Sequence, residues 1–331
     1  MSVALLLGAG VLLGQVDAGY ARERTTDGQH CLRWPVTAPQ RRTLTFVQSS
    51  AGDFRLGPGV FDPVSRSLET WASPSRTCGS LDLLEGPRSA SRVIGYASVG
   101  PNENLILIRA ADCLAYVSPG DPCRTDESCG NKYDCWDHGA ATLALTTLTY
   151  DAQGRLLDAD IEINGAFSYL SIVDSPPCDP NHPMHGCVGN DLQNTVTHEL
   201  GHAHGLAHSP DPTSTMFAIA PIGETSKRVL DPASAQFICD VYPPGQPSLD
   251  CFTGDAGTDD PGGTGGDPTG NGGLGSQGIA RTGAGCSSTG SGGALLPALL
   301  GLVLAALGRT GRSRIREGAS HARTGRAAPR G

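Results

Sequence analysis

The chain has 331 residues, of which 38% are hydrophobic, and a formal net charge of −9. That length accommodates one ordinary domain of about 200 residues with appendages, and the 45 glycines crowd toward the C-terminal third. Nothing in the acidic balance suggests nucleic acid binding, and a single short apolar tail excludes a multi-span membrane transporter or receptor.

In chain order, residues 1–18 read as a signal peptide. An apolar run from Val3 to Leu13 precedes Val16-Asp17-Ala18, which fits a small-x-small cleavage pattern. Residues 19–252 then carry the patterns of one folded domain. "RRTLTFVQ" (41–48) alternates as a strand around Leu44, Phe46 and Val47. In "FDPVSRSLETWAS", Asp62 suits an N-cap and Pro63 a first helical residue. Phe61, Val64, Leu68 and Trp71 recur there at helical spacing and predict a core face. "SLDLLEG" and "ENLILIRA" predict two further strands, followed by a cysteine-rich excursion over about 113–135.

Residues 141–165 predict a hairpin with a turn at Asp151–Gly154. Its second strand alternates Leu157, Ala159, Ile161 and Ile163 with Asp158, Asp160, Glu162 and Asn164, so one face is expected to be wet. Calcium on those acids is an alternative that the pattern does not support. Asp191 can cap a helix through Leu192, Val196 and Leu200 to about His204, and Asp231-Pro232 starts another through Phe237, Ile238 and Val241. The Gly/Asp/Thr-rich stretch 253–285 has too little apolar content to repay its ordering entropy and reads as a flexible linker.

There are eleven cysteines. With Cys286 set aside, an even ten remain, which behind a signal peptide argues for disulfides in an oxidising compartment. Sequence alone does not give the connectivity; Cys178–Cys187 and Cys239–Cys251 are plausible because they close short loops. Cys123, Cys129 and Cys135 lack CxxC spacing and read as disulfide partners rather than a zinc knuckle.

The chemistry concentrates in "VTHELGHAHGLAHSPDPTSTMF" (196–217). Residues four apart on a helix sit about 40° apart on one face, so His198 and His202 can share one zinc ion. Glu199, beside them, can take a proton from a zinc-bound water. Gly205 lets the chain turn and bring His208 round as a third ligand, leaving one position open for that water. His204 lies about 200° from His202 and reads as exposed or supporting, not as a ligand.

The motif HExxHxxGxxH followed by Met216 resembles the metzincin clan of zinc metalloproteases, and within it the matrixins, which share Ser209 and the step from His208 to the methionine. "VFDPVSRSLETWA", "LDADIEIN" and "RVLDPASAQFICDVYP" resemble further matrixin segments, so the resemblance spans roughly 31–243. It implies an α+β metzincin-like fold: a twisted mixed sheet, an active-site helix, a backing helix and a C-terminal helix, here disulfide-rich. It implies one catalytic zinc on His198, His202 and His208, Glu199 as base, and Met216 as the Met-turn. Peptide substrate would lie along the 156–163 strand, taken as the sheet edge, beside Ala159, Asp160 and Ile161, with Phe217 walling a side-chain pocket. The nearest counterpart of a propeptide cysteine, "SRTCGSLD" around Cys78, follows the first helix instead of preceding it, so latency by a thiol is not expected.

The C-terminal part resembles the myxobacterial (MYXO-CTERM) sorting tag. Gly285-Cys286 precedes a short apolar helix at 294–307 and Arg309, Arg312, Arg314 and Arg316, so 286–316 would be the tag and 317–331 a disordered basic tail. That implies export and sorting machinery as partners and lipid modification of Cys286. The combined expectation is an exported, cell-surface-anchored or secreted zinc endopeptidase acting on proteins or peptides, with a monomeric catalytic domain. The alternative is a surface binding module keeping the fold without turnover.

Overall fold

A computed structural model describes residues 19–126, 128–179 and 186–251, the backbone of 280–284, and residue 286. The signal peptide, the apolar run 294–307 and the basic tail lie outside the described residues, as does most of the linker. Within the described residues, no helix is long and apolar enough to cross a membrane.

The architecture is a mixed sheet with helices packed on one face. Strand β1 (Arg42–Gln48) exposes Thr43 and Thr45 and buries Leu44 and Phe46, as its alternation requires. It pairs in parallel with β2 (Leu81–Glu85) and β3 (Asn104–Arg109). β5 (Leu156–Asn164) pairs in parallel with β3, and β4 (Ala144–Tyr150) pairs antiparallel with β5. A further strand follows beyond β4, giving the order β2-β1-β3-β5-β4-β8, where β8 is Ala280–Ala284. A separate two-stranded pairing joins β6 (Leu170–Ser171) to β7 (Asn190–Asp191), directly ahead of the site helix.

Three long helices cover the sheet. α1 (Phe61–Cys78) buries Val64, Leu68, Trp71 and Ala72. α4 (Leu192–His204) is buried at every position, and α5 (Pro232–Val241) closes the domain through Phe237, Ile238 and Val241. Asp191 caps α4, accepting the Asn194 N–H at 2.8 Å, and Asp231 caps α5, as predicted. Asp62 does not cap α1. The preceding turn of 3-10 helix, Gly57–Val60, runs straight into the helix, so α1 begins at Phe61 and Asp62 falls in its first turn.

Three other expectations are corrected. The second face of β5 is not wet: Asp158, Asp160, Glu162 and Asn164 are all buried. Segment 86–103 folds over them, with Gly95 N–H and Leu105 N–H donating to Asp160, Asn102 to Asp158, and buried Arg109 to Glu162 at 2.7 Å. Alternation in sequence registers which side chains share a face, not what later covers that face. Nor is β5 an edge: it is paired on both sides, so the backbones of Ala159, Asp160 and Ile161 are not available to a substrate. Ala159 and Ile161 belong to the core and Asp160 to the covered face, so their assignment as substrate contacts fails. β4 lies next to β5 and carries β8 on its other side, so the outer strands of the sheet are β2 and β8. Finally, the linker assignment does not hold over 280–284, which form β8.

All ten cysteines set aside for disulfides are paired: Cys31–Cys251, Cys78–Cys239, Cys113–Cys135, Cys123–Cys129 and Cys178–Cys187. The short-loop pair 178–187 is as expected, but 239–251 is not. α5 lies against α1, which brings Cys239 to Cys78, and the chain after α5 returns to the N-terminal segment, which brings Cys251 to Cys31. The excursion 113–135 holds two of the bridges, with two short helices, α2 (Cys113–Tyr116) and α3 (Cys129–Tyr133), around its own small apolar cluster. Five disulfides point to an oxidising, extracellular compartment.

Candidate metal centre

α4 can be wholly buried because its polar groups find partners. Trp71 Nε1 donates to the Thr197 carbonyl, Trp34 Nε1 to Ala203 and the Tyr242 hydroxyl to His204, all at 2.7–2.8 Å. Thr197 Oγ1 bonds Ser67, and Arg228 grips the capping Asp191 through both carboxylate oxygens.

The helix ends at Gly205, in the left-handed region at φ 105°, where its N–H reaches the carbonyls of Gly201 and His202. A Cβ at this position would run into the Leu32 carbonyl. The chain then turns sharply. Ala207 N–H bonds Ala21 at 3.0 Å and Ser209 N–H bonds the Met216 carbonyl at 2.9 Å, so the N-terminal segment and the 214–217 turn hold His208 from two sides. Met216 is buried, its thioether against Gly201 on the helix.

These constraints bring three imidazoles together. His202 Nε2 lies 3.2 Å from His198 Nε2 and 3.2 Å from His208 Nε2. His198 Nδ1 is 2.7 Å from the Thr215 carbonyl and His202 Nδ1 is 2.8 Å from that of Leu206. A carbonyl only accepts, so those Nδ1 atoms carry the protons and both Nε2 atoms present lone pairs. Burial, and then the neighbouring His208, holds His198 down to about 3, so the ring is neutral. His202 is likewise held well below its ordinary value by burial and by His198 and His208.

Three ring nitrogens converging in this way are the donor set of a cation. Two nitrogens at about 2.0–2.1 Å from one tetrahedral zinc stand roughly 3.3 Å apart, which fits the observed 3.2 Å. His198, His202 and His208 therefore form a group that can hold a metal ion.

Glu199 is fully buried beside this group. Its Oε2 accepts from Thr146 Oγ1 at 2.7 Å, and its Oε1 from the backbone N–H of Cys286 at 3.2 Å. Burial pushes its carboxyl up to about 7 against the pull of the Thr146 and Cys286 hydrogen bonds. His204 is neither a ligand nor exposed. It is fully buried, stacked on Trp71 at 4.9 Å between ring centres, and its Nδ1 meets the Leu200 carbonyl. Phe217 follows the turn half-buried, with Lys227 Nζ 6.0 Å from its ring.

Residues 132–243 match the family model described as Matrixin (Peptidase_M10). The match supports a zinc metalloprotease of the metzincin kind. It runs from α3 through α5 and contains the three histidines, Glu199 and the Met216 turn. No curated protein matches the chain.

Two contributions to this site were not read from the sequence. Thr146 sits in a threonine-rich strand where nothing local marks it; only the packing of β4 on α4 brings its hydroxyl to Glu199. Cys286 was assigned to the sorting tag, yet its N–H and thiol lie beside Glu199.

Proposed function

We propose that the protein is an exported, zinc-dependent endopeptidase that hydrolyses peptide bonds of extended protein or peptide segments. The observation carrying this reading is the convergence of His198, His202 and His208 through Nε2, with Glu199 immediately beside them. The Matrixin match supports it independently.

In this reading the three histidines hold one zinc ion. When bound, zinc supplies a Lewis acid and an acidified water. Glu199 is the general base: it takes the proton of the attacking water and returns it to the leaving amine. Thr146 orients the carboxylate, leaving Oε1 directed at whatever backbone N–H lies across the site. Met216 supports the histidine platform from below.

The substrate edge is β4 rather than β5. Its outer side takes an extended segment antiparallel, as β8 does over Thr146–Tyr150. Such backbone pairing gives affinity with little sequence choice. Phe217 walls the adjoining side-chain pocket. The signal-peptide-like start, the Cys286 tag-like end and the five disulfides support an enzyme exported to the cell surface or beyond by export and sorting machinery, with the catalytic domain acting as a monomer.

The test is cleavage of unfolded casein by the full chain carrying Thr282→Pro and Cys286→Ala, with and without a zinc chelator, beside the same chain with Glu199→Ala. Chelator-sensitive cleavage that disappears with Glu199 while zinc remains bound supports the reading. Zinc at one per chain with no cleavage of casein or a broad peptide library would replace it with a non-catalytic surface binding module.

A further inference from the structure

A stretch that composition marks as linker adds a strand to the sheet. Backbone residues 280–284 pair antiparallel with β4, Ala284 opposite Thr146 and Ala280 opposite Tyr150. The strand runs toward the metal centre. At its end, Cys286 carbonyl accepts the Leu143 N–H at 2.8 Å, and Cys286 N–H donates to Glu199 Oε1 at 3.2 Å. Cys286 is 1% exposed and is the one cysteine of eleven outside a disulfide. Its Sγ, a ring nitrogen of His198 and a carboxylate oxygen of Glu199 lie within 4.8 Å of one another.

Each contact uses a group that a substrate would need. The β4 edge is the pairing surface for an extended peptide, and 280–284 take it. Glu199 Oε1 belongs to the proposed base, and the Cys286 N–H occupies it. A thiol is a strong zinc donor, and it stands beside His198 and Glu199, on one side of the three-histidine set.

We propose that β8 and Cys286 form an intramolecular inhibitor: the strand occupies the substrate edge of β4, and the Cys286 thiol, beside His198 and Glu199, closes the metal site from that side. The inference rests on the metallopeptidase reading of the same site. It revises the expectation that thiol latency is absent, because the thiol arrives from the C-terminal side of the domain rather than from a segment ahead of it. It also makes Cys286 inaccessible to lipid modification while the strand is docked. Release of β8 and Cys286 would thus expose the cleft and the modification site in one step.

The experiment compares the full chain with Thr282→Pro, which removes a backbone donor from β8, and with Cys286→Ser, which keeps the strand and removes the thiol. Three readouts are used: maleimide labelling of Cys286, the near-ultraviolet thiolate-to-metal absorption of the cobalt-loaded chain, and cleavage of unfolded casein. The expected result has three parts. Cys286 of the native chain labels at least about tenfold more slowly than in Thr282→Pro. The cobalt band is present in the native chain and absent from Cys286→Ser. Casein cleavage rises by about tenfold or more in Thr282→Pro, and by less in Cys286→Ser, where the strand still covers β4.

Equal labelling rates, with zinc bound and equal cleavage in all three chains, would overturn the inhibitor. So would native chain found cut between Gly285 and Cys286 while Glu199→Gln stays whole, because the segment would then be a substrate. If no chain binds zinc, the metallopeptidase reading fails and the inhibitor with it. Slow labelling in that case would show docking of the strand for another reason.

Discussion

The Met216 thioether lies against Gly201, in the helical turn between His198 and His202. The glycine is there because any side chain would occupy the space of the Met216 sulfur, and Trp71 closes the same space from the other side. Gly201→Ala is expected to cost about 1–3 kcal/mol through overpacking. Moving the 214–217 turn also disturbs the Thr215 carbonyl that orients His198, so zinc affinity should weaken by about tenfold or more. Thermal unfolding and a zinc competition titration check the two effects; unchanged values in both would sink the packing argument.

His204 serves the core and not the metal. Its ring stacks on Trp71 with an 18° interplanar angle. His204→Ala should destabilise the domain by about 2–4 kcal/mol through the cavity it leaves, with zinc still at one per chain. His208→Ala should instead lose the metal. Urea denaturation paired with metal analysis separates the two, and loss of zinc from the His204 variant would make it a ligand after all.

Arg228 holds the start of the site helix. It bonds both carboxylate oxygens of Asp191, whose side chain is fully buried, and reaches Asp174 and the Val173 carbonyl. Arg228→Ala would leave the buried Asp191 charge without its counter-ion, at a cost of about 3 kcal/mol. Arg228→Lys should recover only part of this, since a point charge cannot make the forked contact. Equal stability of wild type and the alanine variant in chemical denaturation would refute the assignment.

Asp231 joins α5 to the methionine turn. Burial pushes its carboxyl up, but hydrogen bonds from Ser234 and Thr215 prevail, so it sits below its ordinary value. A carboxyl depressed in the folded state contributes stability at pH values above its unfolded pKa, and that contribution fades as pH falls through the folded one. The stability gap between wild type and Asp231→Asn should therefore be widest near pH 7, about 1–3 kcal/mol. It should close as the solution is taken below the usual carboxylate range. Urea midpoints measured at several pH values test the sign; a gap that widens in acid would contradict it.

Much of the site was legible in sequence because it is local. His198, Glu199 and His202 lie on one helix, and the turn to His208 needs only a glycine in the left-handed region. Helix starts at Asp191 and Asp231 were legible for the same reason: an N-cap bonds residues two or three positions ahead of it. What was not legible depends on distant chain. Thr146 meets Glu199 across 53 residues, and the Cys286 N–H meets it across 87. The burial of Asp158 and Asp160 depends on Asn102, Gly95 and Leu105, which no periodicity links to β5.

By itself, the sequence determined the periodicities, the caps and the spacing of the three histidines, because each is a relation among neighbours along one element. Tertiary structure alone decided which strand is outermost, which cysteines pair, where His204 goes and what lies across the metal centre. Those outcomes depend on which surfaces meet once helices and sheet are packed. A strand's alternation reads the same in the middle of a sheet as at its edge. A cysteine's distance along the chain does not reveal its neighbour in space. Composition likewise marks 280–284 as linker, and only the open hydrogen-bonding groups of β4 give that segment a place as a strand.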